Sequence, residues 1–260
     1  MAVAYQRSTG PTYGEKTKVV INETEYRFNL TTSHGGNTDC RIELEIPDQM
    51  VEATIKYRKY PTHDAWTEAP MQRKDSLLTA FLPHQPPAGK LEYIIIIKTG
   101  GSIIPLNKGK SIIIRFKGDV PAAVLLPHVL FMFLSMFLSN LAGIMAIFRQ
   151  KKYILYSWLT LIALFIGGII LGPLVQWFAF GEAWAGVPFA WDLTDNKTLL
   201  AFIFWGLAII MNHKRKGSPA VTIVASAVML VVYLIPHSMY GSELDPETGE
   251  IIQGWMTLFF

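Results

Sequence analysis

The chain has 260 residues, of which 51% are hydrophobic, with a mean hydropathy of +0.30 and a formal charge of +3. That is too apolar for an ordinary soluble domain, while 17% charged residues is too many for a chain lying wholly in lipid. Disorder, collagen and nucleic-acid binding are excluded as well, because no basic stripe stands behind the small net charge. The single cysteine, Cys40, excludes an intramolecular disulfide, a CxxC redox pair, a thiolate zinc site and covalent haem attachment through CxxCH.

The charges separate two unlike parts. Residues 1–119 carry 16 of the 23 basic and 13 of the 20 acidic side chains, and the other 141 residues carry 7 of each. A soluble head over 1–118 is therefore expected, followed by a membrane half. In the head, Arg41–Ile46 and Val51–Tyr57 alternate polar and apolar residues, the pattern of half-buried strands. Further strands are expected at 19–22, 25–31, 77–82, 91–98 and 111–117, separated by His34-Gly-Gly-Asn, Ile46-Pro-Asp and Gln85-Pro-Pro-Ala-Gly89. Seven antiparallel strands in about 100 residues predict an immunoglobulin- or fibronectin-like β-sandwich. His34, His63 and His84 fall in loop-like stretches without ligand spacing and read as solvated.

After Asp119 no Asp, Glu, Lys or Arg occurs for 29 residues, and a second charge-free stretch of 29 runs from Tyr153 to Gly181. The third, Thr198–Asn212, has 15 residues, and the fourth, Ser218–Ser242, has 25. Since crossing the hydrocarbon takes about 20 helical residues, the third helix is expected to start inside the preceding loop, near Asp192 or Asp195. The reading is an all-α four-helix transmembrane bundle over 119–242, with spans near 122–148, 153–178, 196–212 and 219–240. The connectors Arg149–Lys152 and His213–Lys216 each carry three fixed positive charges and no acid, which makes them cytoplasmic. The head, the 181–197 loop and a tail over 243–260 then lie on the extracytoplasmic side, with Ile251–Phe260 resting in the interface. An exported head needs a signal, yet Met1–Gly10 has no apolar segment. Either a segment precedes the numbering or the first span carries the head across. The inverted topology would place both basic connectors outside.

Two histidines lie within hydrophobic stretches, and both follow a proline: Pro127-His128 and Pro236-His237. His128 is nine residues after Asp119 and His237 six before Glu243, so in helices each lies roughly 10 Å inside the outer edge. An ionisable residue within a span is a functional candidate, and two facing imidazoles suit the axial positions of a haem iron. The plainer alternative is that Pro127 opens a helix and His128 hydrogen-bonds a carbonyl or water. The loop between the second and third spans contains Trp184, Phe189 and Trp191 beside Asp192 and Asp195. Aromatic residues of this kind also form an interfacial belt. Gly168-Ile-Ile-Leu-Gly172 is a small-xxx-small pattern that reads as helix packing, with room for a macrocycle as the sharper alternative. Trp158, Trp177 and Tyr233 read as interface or bundle residues.

Glu182-Ala-Trp184, Trp191-Asp192 and a span with Phe202 and Trp205 resemble the tryptophan-rich WWD signature of the cytochrome c assembly, or haem-handling, membrane protein family. The order His128, two spans, loop, two spans, His237 is similar to the family's arrangement, and His237-Ser-Met-Tyr-Gly241 looks like its His-Ser-Tyr-Gly stretch with one residue inserted. The resemblance covers residues 122–242. The motif departs in Trp184-Ala-Gly-Val-Pro-Phe-Ala-Trp191, where Phe189 stands for a middle tryptophan and Pro188 has no counterpart. The resemblance implies haem b held between His128 and His237, the metal ligands, under a loop built from Trp184, Phe189, Trp191, Asp192 and Asp195. Lys197, the only fixed cation of the outer loop, would face a propionate. For Asp195, capping of the third helix and organisation of a haem site stay open; Asp192 reads as a loop organiser.

Three readings follow. A haem-handling protein would present haem to an exported apocytochrome c or a membrane partner subunit; a haem-b electron-transfer subunit would keep it; a scaffold with an adhesive head would hold no cofactor. No Ser/His/Asp grouping, phosphate loop or HExxH helix marks a stand-alone enzyme.

Overall fold

The computed structural model describes residues 14–214, 218–235, 242–246 and 248–253. They form two compact units. One is Pro11–Asp119 together with Glu243–Ile252, and the other is built on Val120–Ser242.

The first unit is all β. Its strands are β1 (Glu15–Ile21), β2 (Thr24–Leu30), β3 (Ser33–Gly35), β4 (Cys40–Glu45), β5 (Glu52–Lys59), β6 (Thr67–Pro70), β7 (Gln72–Lys74), β8 (Leu77–Leu82), β9 (Lys90–Thr99), β10 (Ser102–Pro105) and β11 (Ile112–Lys117). One sheet has the order β3-β11-β9-β5-β6, with β10 on the same edge of β9 as β11; the other has the order β4-β8-β7. β1 and β2 form a separate antiparallel hairpin. Eleven strands therefore stand where seven were expected among the described residues, and β3 pairs with β11 in parallel. The four additional strands, β3, β6, β7 and β10, have three or four residues each, none of them buried, too few to show an alternation.

Alternation, broken in β9 where Leu91, Glu92 and Tyr93 are all buried, places the inward side chains of the longer strands in one core. Cys40, Ile42 and Leu44 of β4, Leu78 and Leu82 of β8, Ile55 of β5, Tyr93, Ile95 and Ile97 of β9 and Phe116 of β11 are all buried there. His34 and His84 differ from the solvated reading: their rings pack edge-on against Phe116, at centroid distances of 5.7 and 5.9 Å. Cys40 is buried in the same core, and that burial pushes its thiol up to about 11. With so little thiolate present, iodoacetamide at pH 8 is expected to alkylate Cys40 in the folded chain more than about a hundredfold slower than in urea. Comparable rates in the two states, read by intact mass, would contradict that core position.

The tail after the last helix belongs with this unit as far as it is described. β12 (Ser242–Leu244) and β13 (Ile251–Gln253) pair with each other, and Glu243–Ile252 cluster with the head. Ile251 and its neighbour are thus part of the β unit; residues 254–260 lie outside the described residues.

The second unit is helical: α1 (Ala122–Ile147), α2 (Tyr153–Phe180), α3 (Leu193–Lys214) and α4 (Pro219–Leu234). The first three are long and apolar enough to cross a membrane, and α4 has 16 residues. Ala142 of α1, Leu164 of α2, Ala201, Trp205 and Ala208 of α3, and Ala225, Met229 and Val232 of α4 share one core. The small residues among them let the backbones approach closely. Asn212 of α3 ties three helices at one end. Its Nδ2 donates to Thr222 Oγ1 at 2.9 Å, and its Oδ1 accepts from Tyr153 Oη at 3.3 Å and from Ser218 N at 2.7 Å.

α2 is not uniform. Residues Phe165–Leu171 form a π-helical turn, in which Gly172 N–H reaches back five residues to Gly167 O. The cause is local: Pro173 has no N–H to continue the ladder, and its ring crowds the carbonyl four residues earlier. The two glycines of the small-xxx-small pattern then do different things. A Cβ on Gly168 would lie 2.7 Å from Thr198 Cγ2, so that position packs against α3. One on Gly172 would lie 3.8 Å from His128 Cε1.

Candidate functional site

α2 ends at Gly181, whose φ of 78° is the left-handed value that closes a helix, with its N–H donating to Trp177 O at 2.8 Å. The loop that follows folds back onto the first turn of α3. Ala185 is gripped on both backbone groups: its O accepts from Asp192 N at 2.8 Å and its N donates to Asp195 Oδ2 at 2.6 Å. Asn196 Oδ1 accepts from Val187 N at 2.8 Å, and Trp184 Nε1 donates to Val187 O at 3.2 Å. Gln176, with its amide nitrogen turned to the carboxylate on hydrogen-bonding grounds, donates to Asp195 Oδ1 at 2.9 Å.

Asp192, expected to organise the loop, caps the helix instead, and of the two roles left open for Asp195, capping is not the one it takes. Asp192 is the cap of α3, its Oδ1 accepting from Thr194 N at 2.7 Å and Asp195 N at 3.1 Å. Asp195, one turn in, holds the loop. Both are buried, at 3% and 6% exposure. Glu182 is half-buried near Asp192, and burial first, then that negative neighbour, raises its pKa above the ordinary carboxylate value.

Lys197, expected at a propionate, is 8% exposed, and its Nζ donates to Ile235 O at 3.1 Å, across to the residue that follows α4. A cation on the carbonyl end of a helix is favourable there on charge grounds. The aromatics divide: Trp184 is held inside the loop, whereas Phe189 is 81% and Trp191 64% exposed.

His128 lies on α1 against the π-helical turn. Its Nδ1 is 2.9 Å from Gly167 O. A carbonyl only accepts, so Nδ1 carries the proton, and a neutral ring keeps its lone pair on Nε2. Nε2 makes no hydrogen bond among the described residues. One turn further along α1, Tyr233 Oη of α4 donates to Met132 O at 2.6 Å and lies 3.4 Å from Ser135 Oγ. Thus Tyr233, four residues before His237, meets Met132, four residues after His128. His237 itself lies outside the described residues, among which no three His, Cys, Asp or Glu side chains form a metal-binding group.

The geometry therefore joins Trp184, Asp192 and Asp195 in one loop, leaves Phe189 and Trp191 on its surface, and turns Lys197 to α4. Gln176, Asn196 and the Gly167 carbonyl were not legible as partners; the Gly172-Pro173 pair was the one local sign of an irregular α2. No protein-family model, no curated protein and no solved structure matches the chain.

Proposed function

We propose that this is a membrane haem-handling protein of the cytochrome c assembly type, binding haem b through His128 and His237 and presenting it to an exported apocytochrome or a membrane partner. One observation carries the reading: His128 Nδ1–H is fixed on Gly167 O, which orients the ring and leaves Nε2 as a potential ligand. Imidazoles that ligate metals are commonly held in this way, by a carbonyl on the other nitrogen. Tyr233 Oη donates to Met132 O, so α4 meets α1 one turn along from His128. Exposed Phe189 and Trp191 suit the flat apolar faces of a porphyrin. Asp192, Asp195 and Lys197 build the loop and the α4 end rather than meeting the haem edge. Haem bound there supplies the redox-active iron and is the cargo; His128 orients, and the loop covers.

The reading has four crossings, α4 among them, with the connectors at 149–152 and 213–216 cytoplasmic and the head outside. The head is taken as an immunoglobulin-like sandwich. The orders β4-β8-β7 and β11-β9-β5-β6, with β3 parallel to β11, support that assignment.

A second reading has its own observation. Gly167 O accepts both the π-turn bond from Gly172 and the imidazole, so His128 also works as a polar plug on an irregular helix, in a scaffold without cofactor. The test is the visible spectrum of the full chain, purified in detergent from cells supplied with haem, oxidised and dithionite-reduced. A Soret band with sharp reduced α and β bands, falling at least about tenfold in His128→Ala, is the result expected. A colourless wild type, or a band indifferent to His128, overturns haem binding here and leaves the plug.

A further inference from the structure

The turn between α1 and α2 holds three exposed cations, Arg149, Lys151 and Lys152, and none of them makes an ion pair among the described residues. The backbone fixes where they stand. Gln150 N donates to Met145 O at 2.9 Å and Arg149 N to Ala146 O at 3.1 Å, the paired bonds of a Schellman motif that closes α1. Arg149 is the left-handed residue of that motif, with a φ of 54°, where glycine would be free of strain. Tyr153, the first residue of α2, is buried, and its hydroxyl donates to Asn212 Oδ1 of α3, which anchors the far side of the turn.

The arrangement is costly as it stands. Lys151 and Lys152 sit at the N-terminus of α2, whose first turn has no acid, and cations are unfavourable at that end of a helix. An arginine at the left-handed position adds a third positive charge beside them. One bound anion offsets both the crowding of like charges and the helix dipole. Apolar surface adjoins the cations: Phe148, next to Arg149, is exposed, as are Leu155 and Trp158 in the first two turns of α2. At 1.5 Å per residue, Trp158 lies about 9 Å along the helix from Lys152. Cations at the helix end and apolar side chains one to two turns further in match the phosphate and acyl ends of one lipid. A soluble anion would use only the first half.

We propose that this turn binds an anionic phospholipid, with the headgroup phosphate on Arg149, Lys151 and Lys152 and the acyl chains along Phe148, Leu155 and Trp158. The site requires only that α1 and α2 lie in lipid, and no part of it depends on haem.

The test is lipid binding to the full chain in detergent, read by native mass spectrometry with phosphatidylglycerol or phosphatidylcholine added. The variant Arg149→Gln/Lys151→Gln/Lys152→Gln is expected to lose at least about tenfold of the wild-type preference for phosphatidylglycerol, since each cation near an anionic surface contributes about fivefold. Lys59→Gln/Lys74→Gln/Lys98→Gln removes the same charge from exposed positions on the head and should keep the preference. Arg149→Gly suits the left-handed position, so it should unfold at a temperature no lower than the wild type while binding phosphatidylglycerol about fivefold more weakly. Equal binding of the two lipids by the wild type overturns the proposal. So does a preference that the turn variant keeps, or that the head variant loses to the same extent. Displacement of phosphatidylglycerol by inorganic phosphate at equal concentration overturns it too, because the site would then be one for a soluble anion. Should the triple turn variant fail to fold, as read by far-UV circular dichroism, Arg149→Gly decides: weaker phosphatidylglycerol binding supports the site, and unchanged binding overturns it.

Discussion

A Phe116→Ala chain is expected to lose about 3–5 kcal/mol of head stability, the usual result of emptying a buried aromatic site. Phe116 is fully buried in β11, at the point where both sheets contribute to one core. Its ring carries the edge contacts of His34 and His84, so removing it strands two further rings. β11 also supports two neighbours, β9 antiparallel and β3 in parallel. At about 4–8 °C per kcal/mol for a domain of this order, the β transition should fall by more than about 10 °C. The check is thermal unfolding of the detergent-solubilised chain followed by far-UV circular dichroism. Phe116→Leu, which refills most of the volume, should shift it less. A change of only a degree or two in Phe116→Ala would mean that the ring is not a core element.

Asp195→Ala should loosen the loop of residues 182–192 more than Asp192→Ala does. Asp195 Oδ2 is the acceptor for Ala185 N, and Ala185 is fully buried, so alanine at 195 removes a buried hydrogen bond to a charged group, worth about 1.5–3 kcal/mol. The Gln176 amide loses its partner in the same step. Asp192→Ala removes a helix cap, which costs about 1 kcal/mol and frays the start of α3, but the Ala185 N–H keeps its acceptor. Amide exchange over 183–192 should therefore rise about tenfold or more in Asp195→Ala. Exchange over 193–196 should rise chiefly in Asp192→Ala. The reverse order would make Asp192 the residue that holds the loop.

Seven of the head strands could be located from alternation because β1, β2, β4, β5, β8, β9 and β11 bury one side and expose the other. The other four border the sheets with short runs that bury no residue fully, and there the pairing partner, not the pattern, makes the strand. The long charge-free runs marked the helices for the same elementary reason: lipid tolerates few charges. What could not be read was non-local. Asp192 and Asp195 both suit the start of a helix, and the choice between them rests on where Ala185 returns, ten residues before Asp195. Lys197 looked like a free cation because nothing in its neighbourhood announces the carbonyl of Ile235, 38 residues on.

The hairpin at 242–253 also constrains the route of the chain through a bilayer. The β unit is entered twice by the polypeptide, once up to Asp119 and again from Glu243. A body lying on one side of a sheet of lipid can be left and rejoined only by an even number of passages. Three long helices make an odd count, so the circuit closes only when the 16 residues of Pro219–Leu234 pass through as well, or when one of the three stays on its own side. At 1.5 Å per residue that helix measures about 24 Å against about 30 Å of hydrocarbon. A crossing by that helix would require the bilayer beside it to thin. Synthesis order sharpens this. β12 and β13 follow all four helices in the chain, so the β unit acquires these last strands only after the helical unit has been made.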